Sequence, residues 1–277
     1  MSNGDTWCAV WAFVKTIDVL DVATIASVIF VAWQTILLRK TYQYNCDWQE
    51  KEKATELSVM YKNEILPSVT YISKVLKATE IMEALGNIHT DNIDQFNQTE
   101  LFRLTNQHIQ ELVEKKEKSF DSIDALLNAR HQFGQISRKG LLYIDPALIT
   151  LWYQAKRGEK DSTGATIVIS DAEKEMLLKQ LWFEYAVIVS NTLNSLEYFA
   201  MNFISGVADD EVVFQSLHQT YLNLVQLLYY NISLKNTHEK DKYYTNVIDL
   251  YKRWREKDKE NERKINAAIS KARPVRK

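Results

Sequence analysis

The chain has 277 residues and a formal net charge of -2, with only seven glycines, three prolines and two cysteines. So few chain-breaking residues disfavour β-rich and glycine-loop architectures and suit long helices. A mean hydropathy of -0.30 excludes a protein built of many membrane spans.

The first element is the most apolar. Val22 to Leu38 is an uncharged run of 17 residues whose one strongly polar side chain is Gln34. A hydrocarbon core of about 30 Å needs about 20 helical residues. Extension back to Ile17 reaches that length and puts Asp18 and Asp21 in the headgroup zone of a tilted helix. Arg39 and Lys40 close the run, while the preceding segment carries Asp5, Asp18 and Asp21 against Lys15. That asymmetry orients the N-terminus out and the C-terminus in. Trp7 and Trp11 before the run, and Tyr42, Tyr44 and Trp48 after it, suit the two interfaces. Met1 to Thr6 has no positive charge and no small-residue cleavage site closes the run, which argues against a cleaved signal peptide. Residues 1–40 therefore read as a membrane anchor. Cys8 and Cys46 then lie on opposite sides of the bilayer, where they cannot pair, and have no metal-binding spacing.

Beyond the anchor, residues 41–85 read as a helical stalk with no breaker until Pro67, and Leu57, Met60, Tyr61 and Ile65 recur at helical spacing. A second helix is expected from Ser68 to Leu85, stopped by Gly86. Residues 86–277 read as a cytosolic helical domain. After a polar connection, Thr99 can cap a helix running toward Gly134, and Pro146 begins a shorter one through Arg157. The next segment reads as a loop with a short strand at Thr166 to Ile169. Ser170 and Glu173 form a capping-box pattern that opens a long helix ending near Gly206. Its Glu184, Asn191, Asn194 and Glu197 make it a core helix rather than a second span, because two carboxylates in hydrocarbon are costly. Each of those glutamates is expected to find a buried hydrogen-bonding partner, with Asn194 and Tyr198 as neighbours. Asp209, Asp210 and Glu211 begin a further helix reaching about Asn236, and a last helix runs from about Glu239 to before Pro274. The fold class is all-α: a transmembrane helix, a stalk, and an antiparallel helical bundle.

The stretch "NTLNSLEYFAMNFISGVADDEVVFQSLHQTYLNLVQLLYYN", followed by "VIDLYKRWREK", resembles an uncharacterised bacterial family over Asn191 to Lys257. That resemblance implies one N-terminal membrane helix and a cytosolic helical domain of unknown function at the bacterial inner membrane. It carries no catalytic residue, and it is compatible with a role in phage defence.

Three functions follow from the residues. The first is self-association or binding of a protein partner at the membrane. Ala23 and Ser27 offer a small-xxx-small contact for a homo-oligomer, which the stalk could extend. The second is a membrane-tethered ribonuclease. In "RLTNQH", Arg103 and His108 have the Arg-x4-His spacing of HEPN-type ribonucleases, where Arg holds phosphate and His moves the proton as the 2′-hydroxyl attacks. Leu104 departs from that family's usual polar residue. The third is binding of nucleic acid or anionic lipid through the basic end, with Arg253, Arg255, Lys271, Arg273, Arg276 and Lys277 contributing. From His238 onward there are 13 Lys and Arg against 7 Asp and Glu, although most alternate in sign, as on a solvated helix face. Phosphate-loop, dinucleotide, zinc-protease and nucleophile-elbow motifs are absent. The five histidines have no metal-ligand spacing, and Asp209 to Glu211 suit a helix's first turn without an ion. No cofactor or metal is expected.

Overall fold

The computed structural model describes residues 19–78, 82, 120–136, 141, 143–236 and 242–272. Among these residues every regular element is helical. They are α1 (Val19–Met60), a π-helical turn (Tyr61–Ile65), α2 (Leu66–Ala78), α3 (Phe120–Ile136), α4 (Pro146–Arg157), α5 (Asp171–Ile204), α6 (Asp210–Lys235) and α7 (Thr245–Ala272). The chain divides into two compact units, Met1–Lys51 and Glu52–Lys277.

Within Met1–Lys51 the described part is the first stretch of α1. Among the described residues, no helix is long and apolar enough to cross a membrane. The uncharged run of α1, Val22 to Leu38, is 17 residues, about 25 Å of helix at 1.5 Å per residue. The membrane span expected over residues 1–40 is thus not supported by any described helix.

Glu52–Lys277 is a helical bundle around α5, which packs against the π-turn, α2, α3, α4, α6 and α7. The 34 residues of α5 bury Leu177, Leu181, Glu184, Ile188, Leu196, Phe199 and Phe203 along one broad face, at the three- and four-residue steps of a core helix. Phe199 is the hub of an aromatic cluster. Its ring centroid lies 5.1 Å from that of Tyr61 in the π-turn, 4.9 Å from Phe203, 5.9 Å from Tyr221 on α6 and 6.3 Å from Trp254 on α7. Tilted and edge-on ring pairs of this kind add about 0.5–1.5 kcal/mol each beyond their area.

Pro67 does not separate two helices as its sequence position suggests. Proline has no N–H and its ring clashes with the carbonyl four residues earlier. The helix absorbs this by widening over Tyr61–Ile65, where the Leu66 N–H reaches back five residues to the Tyr61 carbonyl. Helical backbone then continues through Pro67 into α2.

Two further expectations change. The strand at Thr166 to Ile169 is a loop with one antiparallel bridge, Lys160 to Thr166. Asp161 organises it instead: its carboxylate accepts from the Thr163 N–H at 2.8 Å, the Thr163 hydroxyl at 2.6 Å and the Ala165 N–H at 3.0 Å. The Thr163 hydroxyl, foremost among these donors, holds the Asp161 carboxyl below its usual range. The last helix begins at Thr245 rather than near Glu239. Asn236 grips Tyr243 from both sides, accepting from its N–H at 2.6 Å and donating to its carbonyl at 3.0 Å. Tyr244 then turns through a positive φ of 63°, so helical dihedrals start only afterwards.

Other boundaries fall where the residues indicate. Asp145 caps α4 through the Ala147 N–H at 2.9 Å with Pro146 behind it, and Gly158 ends the helix at φ 64°. Ser170 and Glu173 form the reciprocal capping box of α5.

Candidate functional site

Three features of the described residues carry enough chemistry to be weighed as sites. The first is the exposed apolar band of α1. Val28, Ile29, Phe30 and Val31 are consecutive and each more than half exposed, and Trp33, Ile36 and Leu38 continue the pattern. Successive helical residues are about 100° apart, so four in a row cover the whole circumference. A helix that is apolar on every side is one that is surrounded, either in a large core or in lipid. The polar side chains in the band are mostly self-satisfied: the Ser27 hydroxyl donates to the Thr24 carbonyl at 2.7 Å and the Thr35 hydroxyl to the Val31 carbonyl at 2.8 Å. Arg39 and Lys40 end the band, and exposed Tyr42, Tyr44 and Trp48 follow.

The second feature is an ion pair inside the bundle. Glu184 is fully buried, and the Arg130 Nε of α3 lies 3.1 Å and 3.3 Å from its two oxygens. Tyr71 of α2 is buried nearby; its hydroxyl is pushed well above the usual tyrosine range, chiefly by burial and further by the Glu184 charge. Beside Arg130 opens a cleft of about 580 Å³ that also exposes Asn128, His131 and Tyr153 among Leu127, Leu141 and Ile149. Among the described residues this lining offers no Ser, Thr, Cys or carboxylate, and Arg130 is already paired. A nucleophile with its base, or a pair of carboxylates, is therefore not assembled there.

The third is Glu197, which caps α7 from a distance. One oxygen accepts from the Asn246 side chain at 2.7 Å and its N–H at 3.3 Å, and the other from the Val247 N–H at 3.1 Å. The Tyr244 hydroxyl is 3.4 Å from the Asn194 oxygen on the same helix. The "LNSLE" segment thus joins α5 to the start of α7, a structural role.

Arg103 and His108 lie outside the described residues. Arg253 donates to the Phe203 carbonyl at 3.2 Å and stands 3.6 Å from Asp210. Arg255 donates to the Tyr251 hydroxyl at 2.9 Å and lies over that ring. Both are engaged within the bundle. Lys271 is on α7 with its side chain outside the described part, as are Arg273, Arg276 and Lys277 altogether. Asp209 accepts from the Glu211 N–H at 2.9 Å, Asp210 accepts from the Trp254 indole at 3.1 Å, and Glu211 pairs with Lys257. No His, Cys, Asp or Glu group among the described residues could hold a metal ion.

The Arg130–Glu184 pair joins residues 54 apart, and neither residue carries a local signal that names the other. The apolar band, by contrast, was visible as a run of residue types. No protein-family profile matches the chain, and no curated protein or solved structure matches it.

Proposed function

We propose that α1 anchors the chain in a membrane by a single pass, N-terminus out, with the main domain on the cytoplasmic side of a bacterial inner membrane. The protein then acts there by associating with itself or with a protein partner. The observation that carries this reading is the exposed apolar band, which surrounds the helix and would be strongly unfavourable in water. Lipid is the medium that meets such a surface on all sides at once. The 17 uncharged residues from Val22 need the preceding segment from Ile17 to reach the thickness of hydrocarbon. The charges of Arg39 and Lys40 and the aromatic side chains after them suit the cytoplasmic interface.

The full chain is expected to remain with membranes through alkaline carbonate and high-salt washes, and a version lacking Met1–Lys40 to leave them. A wild-type chain released by salt alone would show a peripheral, electrostatic attachment instead and overturn the anchor.

A further inference from the structure

The apolar band contains a carboxamide that its own helix does not serve. Gln34 is exposed, sits between Phe30 and Val31 on one side and Leu37 and Leu38 on the other, and makes no hydrogen bond among the described residues. Its neighbours Ser27 and Thr35 solve the same problem by bonding back to α1 carbonyls. A glutamine amide has two donors and a carbonyl acceptor, and leaving them bare in hydrocarbon is strongly unfavourable. Escape to the headgroups is also poor. Helical side chains lean toward the helix N-terminus, so in the proposed orientation the Gln34 amide leans away from the interface that follows Leu38 and deeper into lipid.

We propose that Gln34 is satisfied by Gln34 of a second copy, so that α1 forms a parallel dimer in the membrane. The proposal rests on the anchor reading above and specifies its partner. Every copy inserts in the same direction under the same flanking charges, so two copies can be related only by an axis along the bilayer normal, which brings identical positions face to face. An amide suits that symmetry because it is both donor and acceptor, whereas a carboxylate or ammonium would meet its like. The register is consistent: Ser27, Gln34 and Thr41 are seven residues apart on one line of the helix. That is the spacing of a left-handed helix pair, with small side chains flanking the amide so that the backbones can approach.

The test uses full-length chains carrying donor or acceptor fluorophores after the C-terminus, reconstituted in phospholipid vesicles at decreasing protein density. Wild type is expected to show energy transfer that falls on dilution as a dimer does. Gln34→Leu, which makes the span more apolar, should raise the dissociation constant roughly three- to thirtyfold, the range of hydrogen bonds between membrane helices. Gln34→Asn should retain most of the association, and Ile36→Ala, on the opposite face, should leave it within about twofold. Wild type that floats with the vesicles but stays monomeric overturns the pairing alone, as does Gln34→Leu that associates like wild type. Wild type that fails to float overturns the anchor and the pairing together.

Discussion

Arg130 and Glu184 illustrate how a buried charge depends on the charge set against it. Glu184 has no exposure, and the guanidinium 3.1 Å away is its counter-charge. Removing the cation takes a close counter-charge from a fully buried carboxylate, and breaking a buried pair in this way typically costs about 3–5 kcal/mol. Arg130→Ala is therefore expected to lower the urea midpoint by the equivalent of about 3 kcal/mol. Adding Glu184→Gln to that variant should recover part of the loss, because a neutral amide tolerates burial better than a bare charge. A double-mutant cycle from urea unfolding measures this coupling, and purely additive losses would show that the two charges do not depend on each other. The sequence indicated that Glu184 needed a partner. It could not indicate Arg130, because the pairing follows from how α3 lies against α5.

At the scale of elements, local and distant caps behave differently. The Ser170–Glu173 box was readable because its donors and acceptors are three residues apart. The cap of α7 was not, because its acceptor is Glu197, 49 residues before Asn246. A carboxylate at that position accepts orphan N–H groups and opposes the positive end of the helix dipole. Glu197→Ala should destabilise the bundle by about 1–2 kcal/mol, the range for losing a helix cap and its hydrogen bonds. The expected signature is a lower urea midpoint with an unchanged slope. A midpoint within experimental error of wild type would assign the hold on α7 to the aromatic cluster alone. Pro67 carries the same lesson in reverse: proline chemistry forbids one hydrogen bond, but the burial of Tyr61 and Ile65 at 0% exposure rewards continuing the helix through a π-turn over ending it.

At the scale of the whole molecule, the apolar band and the buried core occupy different stretches of the chain. Among the described residues, every member of the buried core cluster lies at Ala54 or beyond. A chain lacking Met1–Lys40 is expected to remain folded, with a helical circular-dichroism spectrum and a single cooperative urea transition. An unfolded or aggregated product would show that the band supplies part of the bundle's stability, and would weigh against lipid as its only environment.

The residue pattern by itself determined the all-helical class, the apolar band with its flanking charges, the bounds of α4 and the capping box of α5. Each of these depends on side chains within one or two helical turns of one another, where spacing along the chain is spacing in the fold. The π-turn at Tyr61–Ile65, the late start of α7 behind Asn236 and Tyr244, the Arg130–Glu184 pair and the Glu197 cap were decided only by the tertiary structure. They join groups that chain separation keeps apart until the helices pack, and the energies that select them arise from burial, which no local pattern contains.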